Sequence, residues 1–175
     1  MTLTNNDIHG NLREYFKTMD LSLFYDDSNY LIYSYDEVDQ FDGTRLPTGY
    51  WYELKFIKDT VKPEGWGTHA KNEWKGLMQI NICVMKSIKT LTASRDFSKE
   101  SAKKREYDEK MKTAIVSGGV QYIFDNAYAA IAEVMKRGVY INGVRIIKVY
   151  NSSAIDNDDY YTMPVTVEWL AHLNN

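Results

Sequence analysis

From Tyr50 the chain alternates. Tyr50, Tyr52, Leu54 and Phe56 fall on one parity and Trp51, Glu53, Lys55 and Ile57 on the other, which predicts a strand with one polar face. Residues 77–85 alternate again: Met78, Ile80, Ile82 and Val84 form one face, and Leu77, Gln79, Asn81, Cys83 and Met85 the other. Between these runs, "PEGWGTHAKNEWKG" reads as a loop in which Gly65, Gly67 and Gly76 free the backbone for turns, while Trp66 and Trp74 offer large, rigid contact area. A last strand, "YYTMPVTVEWL", puts Met163, Val165, Val167 and Trp169 on one parity. Pro164 inside it predicts an edge position or a strand start, because proline donates no ladder hydrogen bond.

Elsewhere the period changes to that of a helix. Ile8, Leu12, Tyr15 or Phe16, and Met19 predict a first helix over roughly 5–18, with Thr4 and Asp7 resembling a capping box with a shortened acid. Val120, Ile123 or Phe124, Ala127, Ile131 and Val134 predict the main core helix, interrupted upstream at Ser117-Gly118-Gly119 and ended by Gly138 after Lys136 and Arg137. Before it, "SKESAKKREYDEKMK" is helix-permissive with a mixed-charge surface. Asn142-Gly143 is a strong hairpin signal, and Leu21–Tyr35 suggests a short hairpin or an irregular pair of strands around "DDSN". Together these elements predict one α+β domain over 1–175. A mixed or antiparallel sheet carries the N-terminal helix and one main core helix packed on a face.

Composition fits that picture, with 44% hydrophobic and 26% charged residues, as in an ordinary globular chain. No apolar run reaches the roughly 20 residues needed to span a bilayer, and the N-terminus lacks the basic start and apolar stretch of a signal peptide, so a cytoplasmic protein without membrane partners is expected. The net charge of −3 is unevenly spread: residues 1–60 hold 11 acids against five bases, and residues 86–112 hold nine bases against five acids. An acidic body with one basic segment suits contact between copies or contact with a polyanion. Polar and poorly patterned, the segment is expected to form a mobile basic loop at about 86–105, running into a helix.

Catalytic chemistry finds little support. His9, His69 and His172 lack metal-site spacing and read as surface or capping histidines. "DEVD" and "DNDD" lack the glycine and distal glutamate of a calcium loop. Cys83, the one cysteine, sits in an apolar strand and reads as a buried structural thiol. No nucleophile elbow, P-loop or dinucleotide fingerprint occurs, so no enzyme, cofactor or metal is expected.

The order of parts resembles the tail terminator (tail completion) proteins of long-tailed bacteriophages. The likeness runs from about residue 50 to 169 and rests on the strand "YWYELKFI", the loop "GWGTHAKNEWKG" and the strand "LMQINICV". It continues with a variable loop, the alanine-rich helix "NAYAAIAEVMKRG", the strand "VRIIKV" and the closing strand "YTMPVTVEW". The loop before the main helix is longer and more basic than in that family. The resemblance implies a virion protein of the tail or neck, assembled in the host cytoplasm, that caps the tail tube as a hexameric ring and joins tail to head. Its implied partners are further copies of itself, the tail tube protein and a head-completion or connector protein, with nucleic acid present only as passing DNA. Trp66, His69, Lys103, Lys104 and Arg105 are the expected assembly interface, and Trp74 is expected against the core. Two alternatives stay open: another neck or tail-tube component, and a nucleic-acid-binding protein that grips phosphates with the 86–112 segment.

Overall fold

The computed structural model describes residues 5–19, 21, 32–34, 50–64, 71–86, 102–136 and 138–174. Helix α1 spans Asn5–Lys17 and helix α2 spans Ala102–Val134. The strands are β1 (Ile32–Ser34), β2 (Tyr50–Glu64), β3 (Lys71–Met85), β4 (Tyr140–Ile141), β5 (Val144–Asn151), β6 (Ile155–Asp156) and β7 (Tyr160–Asn174). They form one sheet in the order β1-β2-β3-β7-β5-β4, with β6 beside β7 just beyond β5. β1 runs parallel to β2 and every other pair is antiparallel, so the sheet is mixed.

Period-two burial builds the inner face. Tyr52, Leu54, Met78, Ile80, Ile82, Val84, Val165, Val167 and Trp169 are all almost fully buried there. Both helices cover this one face. Ile8, Leu12 and Phe16 of α1 and Ile123, Phe124, Ala127 and Ile131 of α2 join the same cluster. Each such large apolar side chain contributes about 1.5–3 kcal/mol on burial, so the helices are held by their stripes rather than by propensity. The Tyr52 hydroxyl donates to the Leu21 carbonyl at 2.9 Å and ties the segment after α1 to the sheet.

α2 is two limbs rather than one rod. Gly119 has φ 64° and ψ −147°, a conformation that is essentially glycine-only. A Cβ at Gly119 would meet nothing within 4 Å, so conformation and not space requires glycine there. The limb after it packs on the core, whereas Lys103, Arg105, Glu106, Glu109, Lys110 and Thr113 before it are exposed. This helix begins at Ala102, inside the segment expected to be a loop; residues 87–101 lie outside the described ones. The β4–β5 hairpin turns at Asn142 and Gly143 with φ 47° and 89°, as the Asn-Gly signal predicts for a two-residue turn with both φ positive.

Several expectations need correcting. Strand β3 starts at Lys71, so Trp74 and Gly76 lie within a strand rather than in a loop, paired with Val61 and Asp59 of β2. A bulge between Phe56 and Lys58 ends the simple alternation of β2 and leaves Ile57 46% exposed. The second face of β2 is not uniformly polar, because Trp51 on it is buried. Pro164 occupies neither an edge nor a strand start: β7 has β3 on one side and β5 and β6 on the other. The Pro164 carbonyl accepts from Ser152 N at 2.9 Å, just where β5 hands over to β6. A residue's N and O point to the same side of an antiparallel ladder, so the missing N–H faces this break, where no bond is lost. Of the Leu21–Tyr35 stretch only Leu21 and Ile32–Ser34 are described, and Ile32–Ser34 pairs parallel to β2; the Thr4 cap lies outside the described residues.

Candidate functional site

Of the five residues expected at an assembly interface, Trp66 and His69 lie outside the described residues. Lys103, Lys104 and Arg105 stand in the first turn of α2. Lys103 and Arg105 are exposed and form no ion pair among the described residues. Ion pairs further along the limb are local, such as Lys110 Nζ with Glu106 Oε1 at 2.8 Å.

The outer face of the sheet carries a polar and aromatic chain of contacts. Trp51 Nε1 donates to Glu53 Oε1 at 3.1 Å, Asn81 Nδ2 donates to Glu53 Oε2 at 3.2 Å, and Gln79 Nε2 donates to Asn81 Oδ1 at 2.5 Å. Cross-strand pairing of β2 and β3 places these side chains side by side. The Trp51 ring lies 5.1 Å from that of Tyr160, and Cys83 Sγ lies 3.7 Å from Thr162 Oγ1, which also accepts from Asn157 Nδ2 at 3.0 Å. Burial, and then the Glu53 carboxylate, push the Cys83 thiol far above the usual range. It is the inert structural thiol that its strand position predicts. Burial likewise raises the Tyr160 phenol, with Glu53 adding to the effect. Both oxygens of Glu53 are engaged by donors, which ties Trp51 and Asn81 together across the β2–β3 ladder.

A second cluster, at the far end of the inner face, escaped the sequence reading. His9 of α1 stacks on Phe56 at 3.9 Å with an interplanar angle of 6°, and meets the Trp169 ring edge-on at 6.1 Å. Its Nε2 lies 2.6 Å from Asp59 Oδ2, a close polar contact without the alignment of a good hydrogen bond. Below them Gly76 leaves space: a Cβ would come within 2.1 Å of Trp169 Cζ2 and 2.5 Å of Asp59 Oδ1. Trp74 packs against the core here, as expected. His9 is thus neither a free surface residue nor a cap but the link between α1 and β2. The usable signal was parity, since Trp74 and Gly76 continue the alternation of Met78, Ile80, Ile82 and Val84. Among the described residues no group of three or more His, Cys, Asp or Glu converges as metal ligands would.

No family model matches the chain, and no curated protein matches it. One solved chain, which bears no functional name, superposes with a TM-score of 0.50 at 12% identity over 93% of this chain and 94% of its own. That likeness shows the fold. A chain of the structure described as "Virion of native gene transfer agent (GTA) particle" aligns over 96% of this chain and 92% of its own at 10% identity, with a TM-score of 0.37. A superposition that loose carries no argument about function.

Proposed function

We propose that the chain is a structural protein of a phage virion which caps the tail tube as a ring of copies and joins the tail to the head. One observation carries the reading. The aromatic strand, its antiparallel partner, the alanine-rich helix and the two closing strands follow in the order that the resemblance to tail terminators implies; the strands share one sheet, and the helix joins them in one core. The limb of α2 before Gly119 supports it. Its described side chains Lys103, Arg105, Glu106, Glu109, Lys110 and Thr113 are exposed and open to a partner, and Gly119 fixes the direction in which the limb leaves the body. In this reading the limb and the outer sheet face supply protein contacts, and the protein performs no reaction. Its partners are other copies, the tube protein and a head-completion or connector protein.

Light scattering on purified protein, with pull-down on isolated tail tubes, tests the reading. Self-association or tube binding is expected, and a protein that does neither sinks it. The exposed cations Lys103 and Arg105, which form no ion pair among the described residues, favour one second reading, a phosphate grip on nucleic acid. Under it, micromolar DNA binding at physiological salt disappears when Lys103, Lys104 and Arg105 are replaced by alanine, and the salt dependence flattens.

A further inference from the structure

The β4–β5 hairpin carries cations on its exposed side. On its outer side Arg145 lies over the Tyr140 ring at 6.0 Å and Lys148 over the Tyr150 ring at 4.8 Å. The bulge between Ile146 and Lys148 is what brings both cations to one side of β5. Arg145 and Lys148 are exposed, neither has an ion pair among the described residues, and Tyr140 is the most exposed large apolar side chain described, at 67%. An exposed aromatic flanked by cations is the composition of an interface anchor rather than of a solvated face.

Charge of the opposite sign stands at the other end of the same sheet edge. Beyond β6, Lys86 Nζ is engaged by Asp156 at 2.7 Å, while Asp158 and Asp159 are exposed with no ion pair among the described residues. Ile155 beside them is 51% exposed. Along β7, Arg145 stands opposite Leu170 and Tyr150 opposite Thr166, whereas the acidic turn precedes Tyr160. At about 3.4 Å per residue the two patches are some 20–34 Å apart, so they cannot neutralise one another within one chain.

We infer that the Tyr140–Arg145–Lys148–Tyr150 edge is the seat for the Ile155–Asp158–Asp159 corner of a second copy. The contact is head-to-tail, because the two patches differ, and each copy therefore offers one to each neighbour. Repetition of such a contact closes a ring when the rotation allows and otherwise grows a filament. The inference rests on the ring-forming function proposed above and names the surfaces that form it.

Two charge-reversal variants test it, R145E/K148E and D158K/D159K, each first checked for a native circular dichroism spectrum and then sized by native mass spectrometry. Like charges facing each other across the contact weaken it by about 100-fold or more, so each variant alone stays monomeric where wild type assembles. Mixed together, the two variants face each other with opposite charges at both contacts, native seat to native corner and reversed seat to reversed corner, so they associate in alternation and assembly is restored. Overturning results are a D158K/D159K variant that assembles like wild type, a mixture that does not associate, or a wild type that stays monomeric at any concentration. The last leaves tube capping to its own pull-down test. Loss of single-stranded oligonucleotide binding in R145E/K148E, with assembly unchanged, also overturns the inference and assigns the edge to nucleic acid.

Discussion

Replacing Gly76 with alanine adds one methyl group at a place with no room for it. The new Cβ would lie 2.1 Å from Trp169 Cζ2 and 2.5 Å from both Trp169 Cε2 and Asp59 Oδ1, against a comfortable carbon–carbon separation of about 3.5–4.0 Å. The indole must therefore retreat by about 1.5 Å. It has nowhere easy to go, because Trp169 is 1% exposed, sits directly opposite Gly76 in the β3–β7 register and has His9 at its edge. Overpacking of this kind costs about 1–3 kcal/mol, and the upper end applies to a rigid ring in a core. Relief of glycine's backbone entropy offsets about 0.5–1 kcal/mol, which leaves a net loss of about 2 kcal/mol. For a chain of this size that lowers Tm by about 4–8 °C. Thermal unfolding followed by circular dichroism reads it directly, with Gly10→Ala as the control of opposite sign. Gly10 lies inside α1 and a Cβ there meets nothing within 4 Å, so a gain of about 0.5–1 kcal/mol is expected. A Gly76→Ala protein as stable as wild type would refute the close packing described for this cluster.

Other expectations follow from the same contacts. His9→Ala removes the stack on Phe56 and the close polar contact to Asp59, and is expected to cost about 2 kcal/mol in urea unfolding; a loss below about 0.5 kcal/mol would mean that α1 is held by its apolar stripe alone. Gly119→Ala forces a side chain into a glycine-only conformation, costing about 1–3 kcal/mol or redirecting the exposed limb, so either Tm or assembly changes; if both match wild type, the limb's direction has no role. Cys83 should be inert to a thiol reagent in the folded protein and react fully on unfolding. Its folded pKa is raised, so the stability it contributes is complete below the unfolded thiol's value of about 8.5 and is lost as pH rises above it, by up to about 1.4 kcal/mol per pH unit. Cys83→Ala should remove that part of the alkaline decline, and an unchanged pH profile would contradict the assignment.

Much of the fold was legible because one buried face imposes one period. Ile8, Leu12, Phe16 and Met19 recur at helical spacing and are buried together, and Met163, Val165, Val167 and Trp169 alternate and are buried together. The Ser117-Gly118-Gly119 interruption and the Asn-Gly hairpin were readable because glycine chemistry is local. Less legible were features set by a partner strand. Gly76 looked like a turn residue because the reason for glycine lies on β7, in Trp169, 93 positions along the chain. Pro164 looked like an edge residue because the break between β5 and β6 that accommodates it comes from pairing and not from pattern. His9 and Asp59 belong to different elements, so nothing in their local sequence announces the contact. The charged patches escaped for the same reason: Arg145 and Lys148 share a side only through a bulge that alternation does not foresee.

Electron microscopy of isolated tail tubes incubated with the purified protein tests the central claim most directly. The account predicts rings of protein density seated on tube ends, with tube lengthening halted, and predicts that R145E/K148E and D158K/D159K fail to close such rings. Bare tube ends that continue to grow in the presence of a well-folded, saturating protein would contradict it.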